Sequence, residues 1–352
     1  MNQSRRITSE SGLSLIEVMV AMTIGLIGIV IIMQVFVLFQ NNKRTTASGA
    51  EAQENALVAL HTIERDGRMA GMGFIGLGCT TVQAYNVNMS TPAYTFSSLP
   101  ATITQDSPAV GTDSLTIRYG TSAFTQIPTK LSVAAGNSDA NPLTFDWGDG
   151  FNQGNMFVIS EGAKTCAMIQ ASATATKAGA SWTVSHNPSG TYPYNPPVGT
   201  NVFPGGGYGI GANVYNLGTM VQRQYFVQNA KLMMRDVNAP DVAGSNPIAL
   251  VDNVYAMKAQ YGRDTTPVPD GYLDVYDNTA PASADRLVAL RVAIVVRSTN
   301  LEATNVTASP LVLWSGGTTA NGGAITIPAS DQKYRFRAYT TIVPLRNVIW
   351  NN

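Results

Sequence analysis

The chain has 352 residues, 45% of them hydrophobic, enough for a substantial core. Only 12% are charged, about half the usual share. Lys plus Arg and Asp plus Glu both number 22, so there is no basic excess of the kind that nucleic-acid binding uses. Polarity rests on Ser, Thr, Asn and Gly instead, which argues against a highly charged, disordered chain.

Arg5 and Arg6 precede an apolar run from Leu13 to Phe39 that is broken by a single charge, Glu17. As a helix of about 27 residues this run spans about 40 Å, enough to cross a bilayer with tilt. The two arginines predict a cytoplasmic start, with the remainder across the membrane. A secretory signal peptide has a shorter apolar stretch followed by its cleavage site. Here the one suggestive processing site, Gly12-Leu13, lies before the run. An ordinary signal-anchor helix leaves Glu17 unexplained, because a carboxylate inside an apolar segment is costly unless paired or neutralised. Cleavage after Gly12 would create its simplest partner, the α-amino group of Leu13. It would also remove Arg5, Arg6 and Glu10, leaving 20 basic and 21 acidic residues and a net charge of −1.

The run Gly12-Leu13-Ser14-Leu15-Ile16-Glu17-Val18-Met19-Val20-Ala21 resembles the type IV prepilin leader motif. In that family a Gly is followed by an apolar residue and then by Thr/Ser-Leu-Ile/Val-Glu. The resemblance implies that a prepilin peptidase cuts between Gly12 and Leu13 and methylates the new N-terminus at Leu13. In a filament the amine of a neighbouring subunit could also reach the costly carboxylate, so Glu17 is expected to serve subunit assembly. The family most often has Phe after the cut, and Leu13 is a departure from that pattern.

After Phe39 the helical character continues with a different polarity. Ala56, Leu60, Ile63, Gly67 and Ala70 recur at spacings of four and three, one face of a helix, while Glu51, Glu54, Arg65 and Arg68 lie off that stripe. Gly71-Met72-Gly73 ends the pattern. Gly25 and Gly28, inside the apolar half, permit close helix approach or local melting. The expected organisation is a cytoplasmic leader (1–12), a transmembrane part of the helix (13–39), an amphipathic part (40–73) and a β-rich domain (74–352).

Downstream, short period-two runs are separated by Gly, Pro, Asn and Asp. Leu115, Ile117 and Tyr119 alternate. Met156 to Ser160 and Thr165 to Ala171 flank Glu161-Gly162-Ala163-Lys164 as a hairpin. Val288, Leu290, Val292, Ile294 and Val296 point one way, Arg291 and Arg297 the other, and Tyr334 to Val343 is similar. A long helix followed by antiparallel strands is an α+β fold with the helix covering a sheet face. Thr174 to Asn216, rich in Gly, Pro, Asn and Tyr, reads as a long surface loop with exposed aromatics at Tyr192, Tyr194 and Tyr208. Cys79 and Cys166 are either one disulfide or two buried thiols, and an exported domain favours the bond.

Several later stretches are similar to the PilW family of minor pilins: Leu250-Val251-Asp252-Asn253-Val254, Gln260-Tyr261-Gly262-Arg263-Asp264, Leu290 to Ser298, and Leu345-Arg346-Asn347. The places of Cys79 and Cys166 fit the same pattern. The resemblance implies a type IV pilin-like fold and a subunit of a tip complex that primes pilus growth. Implied partners are prepilin peptidase, other major and minor pilins, the inner-membrane assembly platform and a tip adhesin. The implied location is the inner membrane with a periplasmic C-terminal domain, then the pilus. A pseudopilin of a type II secretion system and a tip-displayed module for adhesion or DNA uptake are the alternatives.

No constellation points to catalysis. The only histidines are His61 and His186, and there is no HExxH, GxSxG or P-loop. Gly207-Tyr208-Gly209-Ile210-Gly211 reads as a flexible loop. No cofactor is expected. Asp264, Asp270, Asp274 and Asp277 around Gly271 are calcium candidates, as are Asp146, Asp149 and Asn152 more weakly. Neither spacing matches an EF-hand, and turn-making accounts for both.

Overall fold

The structure, a computed structural model, describes residues 14–106, 111–123, 127–138, 142–187, 191–240 and 245–350. One helix, Leu15–Met69, opens the described chain. The carbonyl of Ser14 accepts the N–H groups of Glu17 and Val18 at 3.0 and 3.2 Å and closes its first turn. The chain forms two compact units that divide between Glu51 and Ala52.

The described part of the first unit is helical almost throughout, and its apolar side chains are exposed. Leu15 is 78% exposed, Ile32 69% and Phe39 66%. Among the described residues nothing covers its most apolar stretch, which is long and apolar enough to cross a membrane.

In the second unit the same helix becomes one-sided. Ala52, Ala56, Ala59, Leu60, Ile63 and Ala70 are buried, and they share one core with alternating residues from two sheets. Small residues let helix and sheet approach closely. A Cβ at Gly67 would meet Val343 Cγ1 at 2.7 Å, so only glycine fits there without displacing the strand. The helix ends where Gly71 takes φ +82° and gives its N–H to the Arg118 carbonyl at 2.9 Å.

The first of the two sheets is antiparallel, in the order Ile248–Asp252, Lys231–Asp236, Met220–Gln228, Ser114–Gly120, Ala101–Thr104. The second, also antiparallel, runs Val275–Asp277, Val254–Arg263, Leu287–Leu301, Tyr334–Pro344. Leu115, Ile117, Leu290, Val292 and Ile294 face the helix core, as the period-two runs predicted. A six-stranded sheet lies between two further cores and is antiparallel except where Thr81–Tyr85 pairs in parallel with Cys166–Gln170. Its central hairpin, Met156–Ser160 with Cys166–Gln170, is the one expected around Glu161 to Lys164. Every residue of both strands is buried, because both faces of the sheet are covered. The unit is thus a long helix followed by sheet, the α+β arrangement expected.

Residues 174–216 are not the surface loop that their composition suggested. They contain the strands Thr176–Ala178, Ser181–Val184 and part of Asn213–Gly218, and bury Val202, Phe203 and Tyr208 in a second core. Tyr208 is 1% exposed and pairs backbone to backbone with Ala135. The glycine-rich run around it is fixed: Gly209 N–H donates to Glu161 at 2.7 Å, and Lys164 Nζ to the Gly207 carbonyl at 2.9 Å. The Asn195 side chain pairs with both backbone groups of Gln170 at 2.8 Å and so replaces a missing strand partner. Side-chain amides and irregular backbone do here what periodic strands do elsewhere, and they leave no period to read.

One charged residue is buried on this face of the helix. Asp66 is 2% exposed. Arg223 Nη1 donates to both its oxygens at 2.9 Å, Tyr225 Oη to Oδ2 at 2.6 Å, and Tyr119 Oη to Oδ1 at 3.4 Å. Burial first, and then the bond to Asp66, push the Tyr225 hydroxyl well above the usual tyrosine range, so it remains a donor. Asp66→Ala would leave Arg223 and the Tyr225 hydroxyl without their acceptor. The expected loss is about 2–4 kcal/mol, moderated by the solvent that still reaches Arg223. Asp66→Asn should lose less, because it keeps an acceptor for Tyr225. Urea unfolding of the full chain in lipid discs measures both, and an unchanged midpoint for Asp66→Ala would remove Asp66 as the helix anchor.

Candidate functional site

The residues that carry the sequence expectation lie at the start of the chain. Gly12 and Leu13 are outside the described residues. Glu17 falls in the first turn of the helix, exposed, among exposed Leu15, Ile16 and Met19. Among the described residues its carboxylate has no ionic or hydrogen-bond partner. Leu13 precedes Glu17 by four residues in the sequence. A Cβ at Gly25 or Gly28 would meet nothing within 4 Å, so the packing of this chain does not require either glycine.

Cys79 and Cys166 are bonded, with Cα atoms 6.0 Å apart and a sequence separation of 87. The bond ties the segment after the helix to the central hairpin, beside Leu77, Val82 and Met168. Closing a loop of that length in the unfolded chain is worth on the order of 4 kcal/mol.

The four acidic calcium candidates have other work. Asp264 is fully buried, and its oxygens accept the Thr266 hydroxyl and the N–H groups of Thr266, Asp270 and Gly271 at 2.5 to 3.0 Å. Asp274 accepts the N–H and hydroxyl of Thr265 at 2.6 and 2.9 Å. Asp270 accepts the Tyr272 N–H at 2.9 Å, and Asp277 is paired with Arg263 through two donors. The carboxylates thus organise a turn, and among the described residues no three His, Cys, Asp or Glu side chains form a metal-binding group. In the weaker candidate loop Asp149 accepts the Trp147 indole N–H at 3.1 Å.

Three buried charges besides Asp66 and Asp264 were not foreseen. Lys258 and Asp113, 2% and 4% exposed, pair at 3.1 Å. Arg118 donates to Thr102 Oγ1 at 3.1 Å without a carboxylate, and burial lowers it to about 10. Asp66 could have been found in the sequence, since it follows Ile63 by three residues on the apolar stripe. Its partner could not, because Arg223 is 157 residues away.

Burial would raise the Asp264 carboxyl, but the hydrogen bonds from Thr266, Asp270 and Gly271 outweigh it and hold it at about 2. An unfolded Asp titrates near 3.9, so the stabilisation from its charged form is complete above about pH 4 and disappears as pH falls through about 2. Thermal melting from pH 7 to pH 2 should show the wild type losing stability across that window. Asp264→Asn should start lower at pH 7 and lose less within it. Parallel curves for the two proteins would contradict the assignment.

Comparison with known proteins places both ends of the chain. Residues 214–347 match the family described as Type IV Pilus-assembly protein W, and residues 7–33 match the prokaryotic N-terminal methylation motif. No protein of curated function matches the chain. Among solved structures, a type IV-like pilin from Thermus thermophilus is similar at 11% identity and a TM-score of 0.36, over 84% of this chain and 96% of that one. The first match spans the C-terminal sheets that carry the stretches noted above, and the second spans Gly12, Leu13 and Glu17. Joined in one polypeptide, the two matches give this chain a start similar to prepilin methylation motifs and a C-terminal part similar to Type IV Pilus-assembly protein W.

Proposed function

We propose that the protein is a minor pilin that takes part in type IV pilus assembly within a tip or priming complex. The observation that carries this reading is the presence, in one chain, of the methylation motif at residues 7–33 and the pilus-assembly match at residues 214–347. Prepilin peptidase cuts after Gly12 at the cytoplasmic face and methylates Leu13. The apolar helix holds the subunit in the inner membrane as a single pass. Arg5 and Arg6 keep the leader inside, so the β-rich domain is periplasmic until the subunit enters a pilus.

The exposed apolar surface from Leu15 to Phe39 supports incorporation by packing against the corresponding helices of other pilins. Gly25 and Gly28, unused within the chain, suit such close approach. Glu17 then has two cationic partners in turn: the α-amino group of its own Leu13 in the membrane, and that of a neighbouring subunit in the filament. The second pairing fixes the axial register, because an unpaired charge in such surroundings is strongly unfavourable.

Glu17→Ala and Glu17→Gln expressed in a deletion strain test this role. Membrane insertion depends on hydrophobicity, so insertion and cleavage should persist. Recovery of either variant in sheared pili should fall about tenfold or more, the factor that corresponds to roughly 1.4 kcal/mol per subunit. Wild-type recovery of Glu17→Ala in pili would refute charge pairing as the basis of assembly.

A further inference from the structure

A cavity of about 400 Å³ opens on the face of the four-stranded sheet turned away from the long helix. Gln260 and Arg291 stand directly opposite each other on neighbouring strands and form its floor. The guanidinium of Arg291 is flanked by two aromatic rings, 3.9 Å from the Tyr276 centroid and 4.8 Å from that of Trp314. Glycines make room for both rings. A Cβ at Gly262 would lie 2.9 Å from Tyr276, and one at Gly323 would lie 2.5 Å from Trp314 Nε1. The far wall is a fixed loop: Asn321 Oδ1 accepts the N–H groups of Thr318 and Gly323 at 2.8 and 3.0 Å, and its carbonyl accepts Gln260 Nε2 at 2.9 Å.

Three buried polar atoms on this cavity have no partner among the described residues: Gln260 Oε1, Asn278 Oδ1 and Arg291 Nε. Gln260 is 3% exposed. Buried polar groups are nearly always satisfied, and three orphans around one preformed space mark a place where an outside group completes the bonding. Two of the orphans are acceptors and one is a donor. A carboxylate or phosphate brings no donor for the amide oxygens, and an apolar ligand brings neither. A hydroxyl both donates and accepts. No Val, Leu, Ile or Met is among the described lining residues, so an apolar peptide side chain has no seat. The volume is at the lower end of the range for small-molecule sites, about 300–1,000 Å³.

From this geometry we propose that the cavity is a saccharide-binding site for one or two sugar units, with Gln260 and Asn278 accepting from ring hydroxyls and Arg291 donating to one. It does not depend on the pilus role proposed above, because it rests on the folded domain alone.

The test is saturation-transfer NMR of the full chain in lipid discs free of glycoside detergent. The probes are glucose, galactose, N-acetylglucosamine and glucuronate, with a capped dipeptide as a comparison. Asn278→Leu is the main variant, since among the described residues the Asn278 side chain makes no hydrogen bond that the change would break. Gln260→Met is the second, and thermal melting verifies that each folds. At least one sugar should receive saturation from the wild type, with affinity about tenfold weaker in each variant, as expected for one lost hydrogen bond to a buried polar atom. A neutral or an acidic sugar as the bound probe would each support the site, glucuronate adding a charge on Arg291. No transfer to any sugar above empty discs would mean that the cavity holds water only and would overturn the proposal. Binding to the dipeptide alone, or sugar binding unchanged in both folded variants, would overturn it as well.

Discussion

A helix that is apolar on every side and carries one carboxylate in its first turn is stable only where apolar surroundings and a positive charge meet. From Leu15 to Phe39 the described side chains are exposed, and Glu17 is without a described partner. Water is a poor environment for such a surface, and a lipid interior is a poor one for an unpaired carboxylate. Under the proposed function, an N-terminus created at Leu13, four residues before Glu17 in the sequence, answers the second problem. Under the proposed function, the same requirement holds before and after assembly, and only the source of the amine and of the apolar surroundings changes.

The β-rich unit meets a different requirement with the rest of the helix. Residues from Ala52 onward turn one stripe to two sheets, and the stripe is made of small side chains except at Leu60 and Ile63. Close approach at Gly67 fixes the separation, while Asp66 between Arg223, Tyr225 and Tyr119 fixes the rotation, because a buried carboxylate tolerates few orientations. The disulfide then holds the segment after the helix to the six-stranded sheet. Helix position and sheet position are thereby set by contacts distant in sequence, as in other folds where non-local pairing dominates.

Much of this plan was legible because it depends on local periodicity. The apolar run, the stripe from Ala56 to Ala70, the hairpin around Glu161 to Lys164 and the alternation from Leu290 to Val296 appear where the sequence placed them, while a register shift beside Gly262 puts Leu287 in the core in place of Val288. What escaped depends on partners far along the chain. Phe203 and Tyr208 have no period, yet the core under the six-stranded sheet buries them. The turn-making reading of Asp264 to Asp277 fits the Asp264 oxygens, which accept from Thr266, Asp270 and Gly271, but the sequence could not show that these are the donors. Arg291 was placed correctly on the outward face, but its seat between Tyr276 and Trp314 requires a hairpin more than 20 residues later. At the candidate assembly site the sequence was the more informative source, since Gly12 and Leu13 lie outside the described residues.

The central claim is that this subunit is processed after Gly12 and then becomes part of a filament. Peptide mass spectrometry of the chain recovered from sheared pili, beside the chain recovered from membranes, tests it most directly. The account predicts in both fractions an N-terminal peptide that begins at Leu13 and carries one N-methyl group. A chain that retains Met1 in piliated cells, or one confined to membranes while pili are present, would contradict it.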